Sequence, residues 1–210
     1  MAVPGFSPDT LDDEGTPLWI SGLADADPNH SVHVVRGLEP AAALATLGAK
    51  PRLFRPWELP DELTWLSPGV VGIEPDFSAI LLAGQVGEWT FVYDNFGATT
   101  HDQTPDLAAD GRTAATSYLS INADASMTYC VDRAELAWIN VDDLDLEQDL
   151  ADMPDELRAA VGAAGTFDVD YLEPGEPDYS ICMRAVSALA GIRHTLNDLR
   201  RVPLLVTPFG

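Results

Sequence analysis

Between Ser78 and Val141 the chain is cut into short strand-like runs, most of them joined by separators too brief for anything but a tight reversal. SAILLAGQV (78–86) is continuously apolar at its centre, the pattern of a strand covered on both faces. EWTFVYD (88–94) follows after Gly87 alone, which predicts a hairpin. Beyond a long polar connection (95–111) come RTAATSYLSIN (112–122), MTYCVD (127–132) and ELAWINV (135–141). Their separators, ADAS (123–126) and RA (133–134), suit antiparallel neighbours. SVHVVRG (31–37) alternates like a further short strand. The expectation is an α+β fold: an antiparallel β-meander sheet of about five to six strands with helices packed mainly on one face.

The one-sided covering follows from alternation in 112–122. Ala115, Ser117, Leu119 and Ile121 share one side of the strand, and Thr116, Tyr118, Ser120 and Asn122 the other, far more polar side. Helices are expected elsewhere. LEPAAALATLG (38–48) has Pro40 at its start and Gly48 as its stop, and LPDELTWLSPG (59–69) is opened by Pro60 and ended by Pro68. MPDELRAAVGAAG (153–165) carries Leu157, Val161 and Ala164 on one stripe. DYSICMRAVSALAG (178–191) offers Asp178 as N-cap, and HTLNDLRRVP (194–203) pairs Thr195 with Asp198 as a capping box. Residues 1–15, rich in Pro, Gly, Asp and Ser, read as a loose arm ahead of a single domain over 16–210.

Charge narrows the function. Thirty-four acids face eleven bases, Lys50 being the sole lysine, for a formal net charge of −23. Such a field repels phosphate backbones and anionic membrane surfaces and speeds encounter with a basic protein or a cation. The plainer reading is that the acids only maintain solubility. The start, MAVPGFSPDT, lacks the features of a signal peptide, and no apolar run is long enough to span a membrane, so the expected location is cytoplasmic.

The acids concentrate in VDDLDLEQDLADMPDEL (141–157), which holds no lysine or arginine. An EF-hand calcium loop would need glycine where Gln148 stands and glutamate where Pro154 stands, so neither a metal nor a cofactor is assigned. Asp142, Asp143, Asp145, Glu147 and Asp149 are the candidate docking face for a basic partner, whereas Asp152, Asp155 and Glu156 complement the dipole of the following helix. Tyr118, an aromatic on a polar strand face, joins them as a candidate partner contact. The remaining aromatics of the sheet region are assigned to core packing: Trp89, Phe91 and Tyr93 on one face, and Trp138 sharing a face with Leu136.

Catalytic signatures are missing from the sequence. No GxSxG, GxGxxG or GxxxxGK[ST] motif occurs; His30, His33, His101 and His194 are scattered, and Cys130 and Cys182 read as small buried hydrophobes. No catalytic residue is assigned. The best enzyme constellation is an acid–base pair drawn from Asp94, His101 and Asp102 in the long connection.

Four stretches together, VHVVRGLEPAAALATLGA (32–49), GEWTFVYDNFG (87–97), TSYLSINADASMTY (116–129) and AVSALAGIRHTLNDL (185–199), resemble an actinobacterial domain family of unknown function. The resemblance covers roughly residues 16–200. It departs at 95–111, which is less aromatic, and at Asp94 and Asn95, where a Glu-Pro-Asn type turn is usual. It implies architecture and no catalytic residue.

The resulting expectation is a non-enzymatic cytoplasmic interaction module, of the immunity or inhibitor kind, that binds a basic protein through an acidic face, with no nucleic acid and no membrane. Two alternatives stand beside it: a small-ligand binder or hydrolase-like enzyme using the 95–111 loop, and a self-assembling structural component.

Overall fold

The structure is a computed structural model that describes residues 3–24, 29–73, 79–120, 122, 124–141, 152–165 and 178–210. Its centre is one antiparallel sheet of eight strands among these residues: β1 (His30–Arg36), β2 (Arg55–Trp57), β3 (Ala79–Val86), β4 (Trp89–Asp94), β5 (Thr113–Leu119), β6 (Ala125–Val131), β7 (Ala134–Asn140) and β8 (Leu204–Phe209). The strand order is β2-β8-β3-β4-β1-β5-β6-β7. The helices are α1 (Leu18–Ser21), α2 (Pro40–Thr46), α3 (Thr104–Leu107), α4 (Asp155–Ala164), α5 (Ile181–Leu189) and α6 (Leu196–Leu199).

The α+β class holds, but the sheet is larger than the five to six strands expected and is not a simple meander. The hairpin β3–β4 turns at Gly87, whose φ of 59° suits glycine. β5, β6 and β7 run consecutively, with Asp132 and Arg133 at φ 47° and 67° in the last turn. That turn is held from outside: Asp132 Oδ1 accepts from Gly111 N at 2.8 Å, and Arg133 pairs with Asp106 at 2.6 Å. β1 does not extend this run at an edge. It inserts between β4 and β5, with all of its residues but Arg36 buried. β8 likewise enters between β2 and β3.

Helices cover both faces, not mainly one. On the first face α4 and α5 bury Leu157, Val161, Met183 and Val186 against Val32, Val34, Leu82, Phe91, Met127 and Tyr129. Trp19 of α1 lies edge-on to Phe91, ring centroids 5.2 Å apart, and its indole N–H donates to Ser187 at 3.2 Å. On the second face α2 and α3 pack Leu44, Leu47 and Leu107 onto Val35, Leu81, Ala83, Val92 and Ala114.

Several helix ends follow the sequence reading. α2 begins at Pro40 and gives way to Gly48 at φ 96°. α4 ends at Gly165 in the left-handed region, and the Thr195–Asp198 capping box opens α6. At α5 the cap is Ser180, while Asp178 accepts from Ser180 N and from Arg184. Residues 59–69 form no helix. Leu59 and Leu66 are buried in an irregular segment, anchored by Leu66 N donating to Leu23 O at 2.9 Å and by Arg200 donating to Pro60 O at 2.9 Å. Tertiary anchoring here overrides a helix-like pattern that Pro60 and Pro68 leave only a short span. The described part of 1–15 is docked rather than loose: Gly5 N donates to Ala163 O at 2.8 Å, and Phe6 is buried.

Candidate functional site

The two faces of β5 are both interior over most of the strand. Thr116 and Ser120, expected on an open polar face, are buried. The cover is the connection 95–111, which forms a 3-10 turn (His101–Gln103) and α3 and folds onto the sheet. Tyr118, between Ser31 and Ser126 in register, is half-buried rather than exposed. Gly97, at φ 64°, crosses its ring so closely that an added Cβ would lie 3.1 Å from Tyr118 Cε2.

Beneath that cover runs a chain of hydrogen bonds whose direction can be worked out from its carboxylate end. Asp94 Oδ2 accepts from Thr99 N at 2.6 Å and from the Thr99 hydroxyl at 2.7 Å, and Oδ1 accepts from Phe96 N at 3.0 Å. An ionised carboxylate only accepts, so the single Thr99 hydroxyl proton is committed to it. Thr99 Oγ1 must then accept from His33 Nε2–H at 2.8 Å. That leaves His33 Nδ1 bare, to accept from the Thr116 hydroxyl at 2.8 Å. Thr116 has no further proton, so Thr104 donates to it at 2.6 Å. Asp94, His33, Thr99 and Thr104 have no exposed surface and Thr116 only 1%. Burial holds His33 neutral, its pKa lowered to about 3. Burial also pushes the Asp94 carboxyl above the usual aspartate range, against the pull of the Thr99 hydroxyl and the Phe96, Thr99 and Gly97 amides. The chain fastens the 95–111 connection to the sheet and presents nothing to solvent.

His101 and Asp102 sit on the outside of the same connection, Nε2 and Oδ1 3.7 Å apart and both substantially exposed. The candidate acid–base set therefore divides: Asp94 is committed inward, and among the described residues no hydrogen bond joins it to the other two. The thiols are poor nucleophiles, since burial raises Cys130 to about 11 and Cys182 to about 12. Among the described residues no cluster of three or more His, Cys, Asp or Glu could hold a metal ion, and no helix is long and apolar enough to cross a membrane.

The feature that sequence reasoning missed is the β7 edge. The sheet's two edges are unlike. β2 is three residues long and carries Pro56, which has no N–H to offer. β7 is seven residues long, contains no proline, and among the described residues is paired on one side only, by β6. Leu136 is 48% exposed and Trp138 49%, although the sequence pattern places Trp138 among the aromatics of the core. The reason is positional: Ile139 of the same strand faces the α4 and α5 side and is buried there, whereas Trp138 points to the other face, at the end of the sheet, and is left half open. Leu136 is also the extra residue of a bulge, since Tyr129 pairs with Ala137 and Cys130 with Glu135. The signal available in the sequence was that ELAWIN is the last run of the meander.

Acidic groups border this edge. Glu135 lies in the strand and is exposed. The first turn of α4 carries Asp155 and Glu156, already paired with Arg158 at 2.9 Å and with Arg36; Glu156 also accepts from the Tyr129 hydroxyl at 3.3 Å, on the sheet face opposite Trp138. At the hairpin tip Arg133 is matched by Asp106. Asp142, Asp143, Asp145, Glu147 and Asp149, which follow β7 in the chain, lie outside the described residues. Comparisons of the chain with family models, with curated proteins and with solved structures return no match.

Proposed function

We propose that this chain is a non-enzymatic interaction module that captures a basic protein on the acid-rich side of its sheet. One observation carries the reading: Trp138 and Leu136 stand exposed on a full-length edge strand, and that strand leads directly into the acids from Asp142 to Asp149. Exposed tryptophan is costly on an isolated surface and is the residue type most enriched among binding anchors. The surrounding charge selects the partner's sign, because a −23 chain accelerates approach of a cationic surface and repels an anionic one. The inward commitment of Asp94 and the high thiol pKa values weigh against the hydrolase-like alternative.

The test is capture by the tagged protein from lysate of its own source, washed at low and at high salt, with identification by mass spectrometry. A single basic protein should be retained at low salt and released at high salt. The Asp142→Asn, Asp143→Asn, Asp145→Asn triple variant should retain less of it. Equal retention by the triple variant at low salt would rule out the acidic face.

A further inference from the structure

We infer that residues 96–104 form a proton-operated strap: the segment lets go of the second face of the sheet when the His33 imidazole takes up a second proton, and it does so before the sheet itself unfolds. What holds the segment is polar. Within it only Thr99 and Thr104 are buried, while Phe96 is 53% exposed, so no apolar side chain of the strap is buried. Thr99 is gripped by Asp94 of β4 through its N–H and hydroxyl, and by Ser31 and His33 of β1 through its carbonyl and Oγ1. Thr104, at the far end, is bonded to Thr116 of β5. Beyond Thr104 the connection is held by other means. Leu107 packs into the core of the second face, its carbonyl accepts from Arg112 Nε at 3.1 Å, and Asp106 pairs with Arg133. A segment with few buried apolar contacts is the kind that opens locally.

The hydrogen-bond chain has no place for another proton at His33. The neutral ring donates through Nε2–H and accepts at Nδ1 from the Thr116 hydroxyl. A proton on Nδ1 sets donor against donor, so Thr116 and Thr104 must both turn their hydroxyls and the Thr104 proton loses its acceptor. It also puts a charge where neither Thr99 nor His33 has any exposed surface. Opening removes both costs. Asp94, reached through Thr99, is the ionisable group on the same chain. α2 carries no charged residue, Cys130 of β6 is a neutral thiol, and His101–Asp102, Asp106–Arg133 and Asp110–Arg112 pair among themselves. The closed form holds His33 at about 3 against 6.5 in water, so opening becomes more favourable as pH falls below 6.5, by up to about tenfold per unit. Asp94 acts in the opposite sense: burial raises its carboxyl, the closed form takes that proton more readily, and the slope flattens as Asp94 titrates. The open form bares His33 and Thr116, and frees the Tyr118 ring that Gly97 crosses.

The test is amide hydrogen exchange of the full chain at pH 7, 6 and 5, read by mass spectrometry and corrected for the intrinsic rate at each pH. Protection over 96–104 should fall about 25-fold from pH 7 to pH 5, while β3 and β4 stay the better protected at every pH. In His33→Gln, which cannot take the proton, that fall should be lost. If 96–104 and the central strands share one protection factor at each pH, the segment opens only with the whole fold and the inference is overturned. If protection over 96–104 is the same at pH 7 and pH 5, His33 is not the trigger and the inference is likewise overturned. Both comparisons use the unaltered chain, so they stand even if His33→Gln fails to fold.

Discussion

Replacing Thr99 by valine should destabilise the protein more than replacing it by serine, although serine removes more volume. Valine keeps the shape of threonine and deletes only the hydroxyl. That hydroxyl donates to Asp94 Oδ2 at 2.7 Å and accepts from His33 Nε2 at 2.8 Å, both within a fully buried chain. A hydrogen bond to a charged group contributes about 1.5–3 kcal/mol, and an orphaned buried donor costs about 1–3 kcal/mol. His33 can relieve part of this by moving its proton to Nδ1, but Thr116 and Thr104 must then reverse their hydroxyls. The net loss for Thr99→Val is therefore placed at about 3 kcal/mol. Thr99→Ser retains both bonds and loses one methyl, about 1 kcal/mol. Urea unfolding followed by tryptophan fluorescence and by circular dichroism reads both, and with a slope of about 2–3 kcal/mol/M the valine midpoint should fall by about 1 M or more. A valine variant as stable as the serine variant would refute the contribution assigned to the Thr99 hydroxyl and its two bonds.

Acid should weaken the fold through its two buried histidines. His33 and His30 have pKa values lowered to about 3 and about 4 in the folded state from 6.5. The unfolded chain thus binds more protons below pH 6.5, and stability falls as pH drops, by about 2 kcal/mol per histidine at pH 5 relative to pH 7. His30→Leu should halve that loss by removing one of the two groups, and among the described residues His30 Nε2 gives up only a contact with Met183 Sδ at 3.1 Å; unchanged urea midpoints from pH 7 to pH 5 in the parent would contradict this. Arg184→Met should cost about 3–5 kcal/mol, measured by urea unfolding, since it strands Asp178 and the carbonyls of Ala164 and Gly15 that the buried guanidinium now satisfies. Gly84→Ala should cost about 1–3 kcal/mol in the same assay, because its Cβ would lie 2.7 Å from Phe91 Cζ and 2.8 Å from Leu204 Cδ2. Trp138→Ala, at an exposed edge, should shift the midpoint little while weakening partner binding about tenfold in a titration.

What was legible in the sequence was local. Pro40 and Gly48 mark α2, Gly87 marks the β3–β4 hairpin, and Thr195 with Asp198 marks α6, because each signal acts within a few residues. The placement of β1 between β4 and β5, and of β8 between β2 and β3, rests on pairings between residues far apart in the chain. β8 was further disguised by Pro208 within it, and β2 by its brevity. Alternation correctly put Thr116, Tyr118 and Ser120 on one face of β5, but it cannot distinguish a face open to water from one whose hydroxyls are satisfied by buried partners. His33 illustrates the same limit: nothing beside it in the chain announces that Thr99 and Thr116 will flank its ring. Trp138 and Leu136 alternate as a core strand would, and only the end of the sheet leaves them exposed.

Amide hydrogen exchange with the captured basic partner bound and absent tests the central claim most directly. The account predicts that exchange slows over Ala134–Asn140, while the buried centre of the sheet and the 95–111 connection are unchanged. Protection centred on 95–111 with β7 unaffected would contradict it and return weight to the loop as the binding surface.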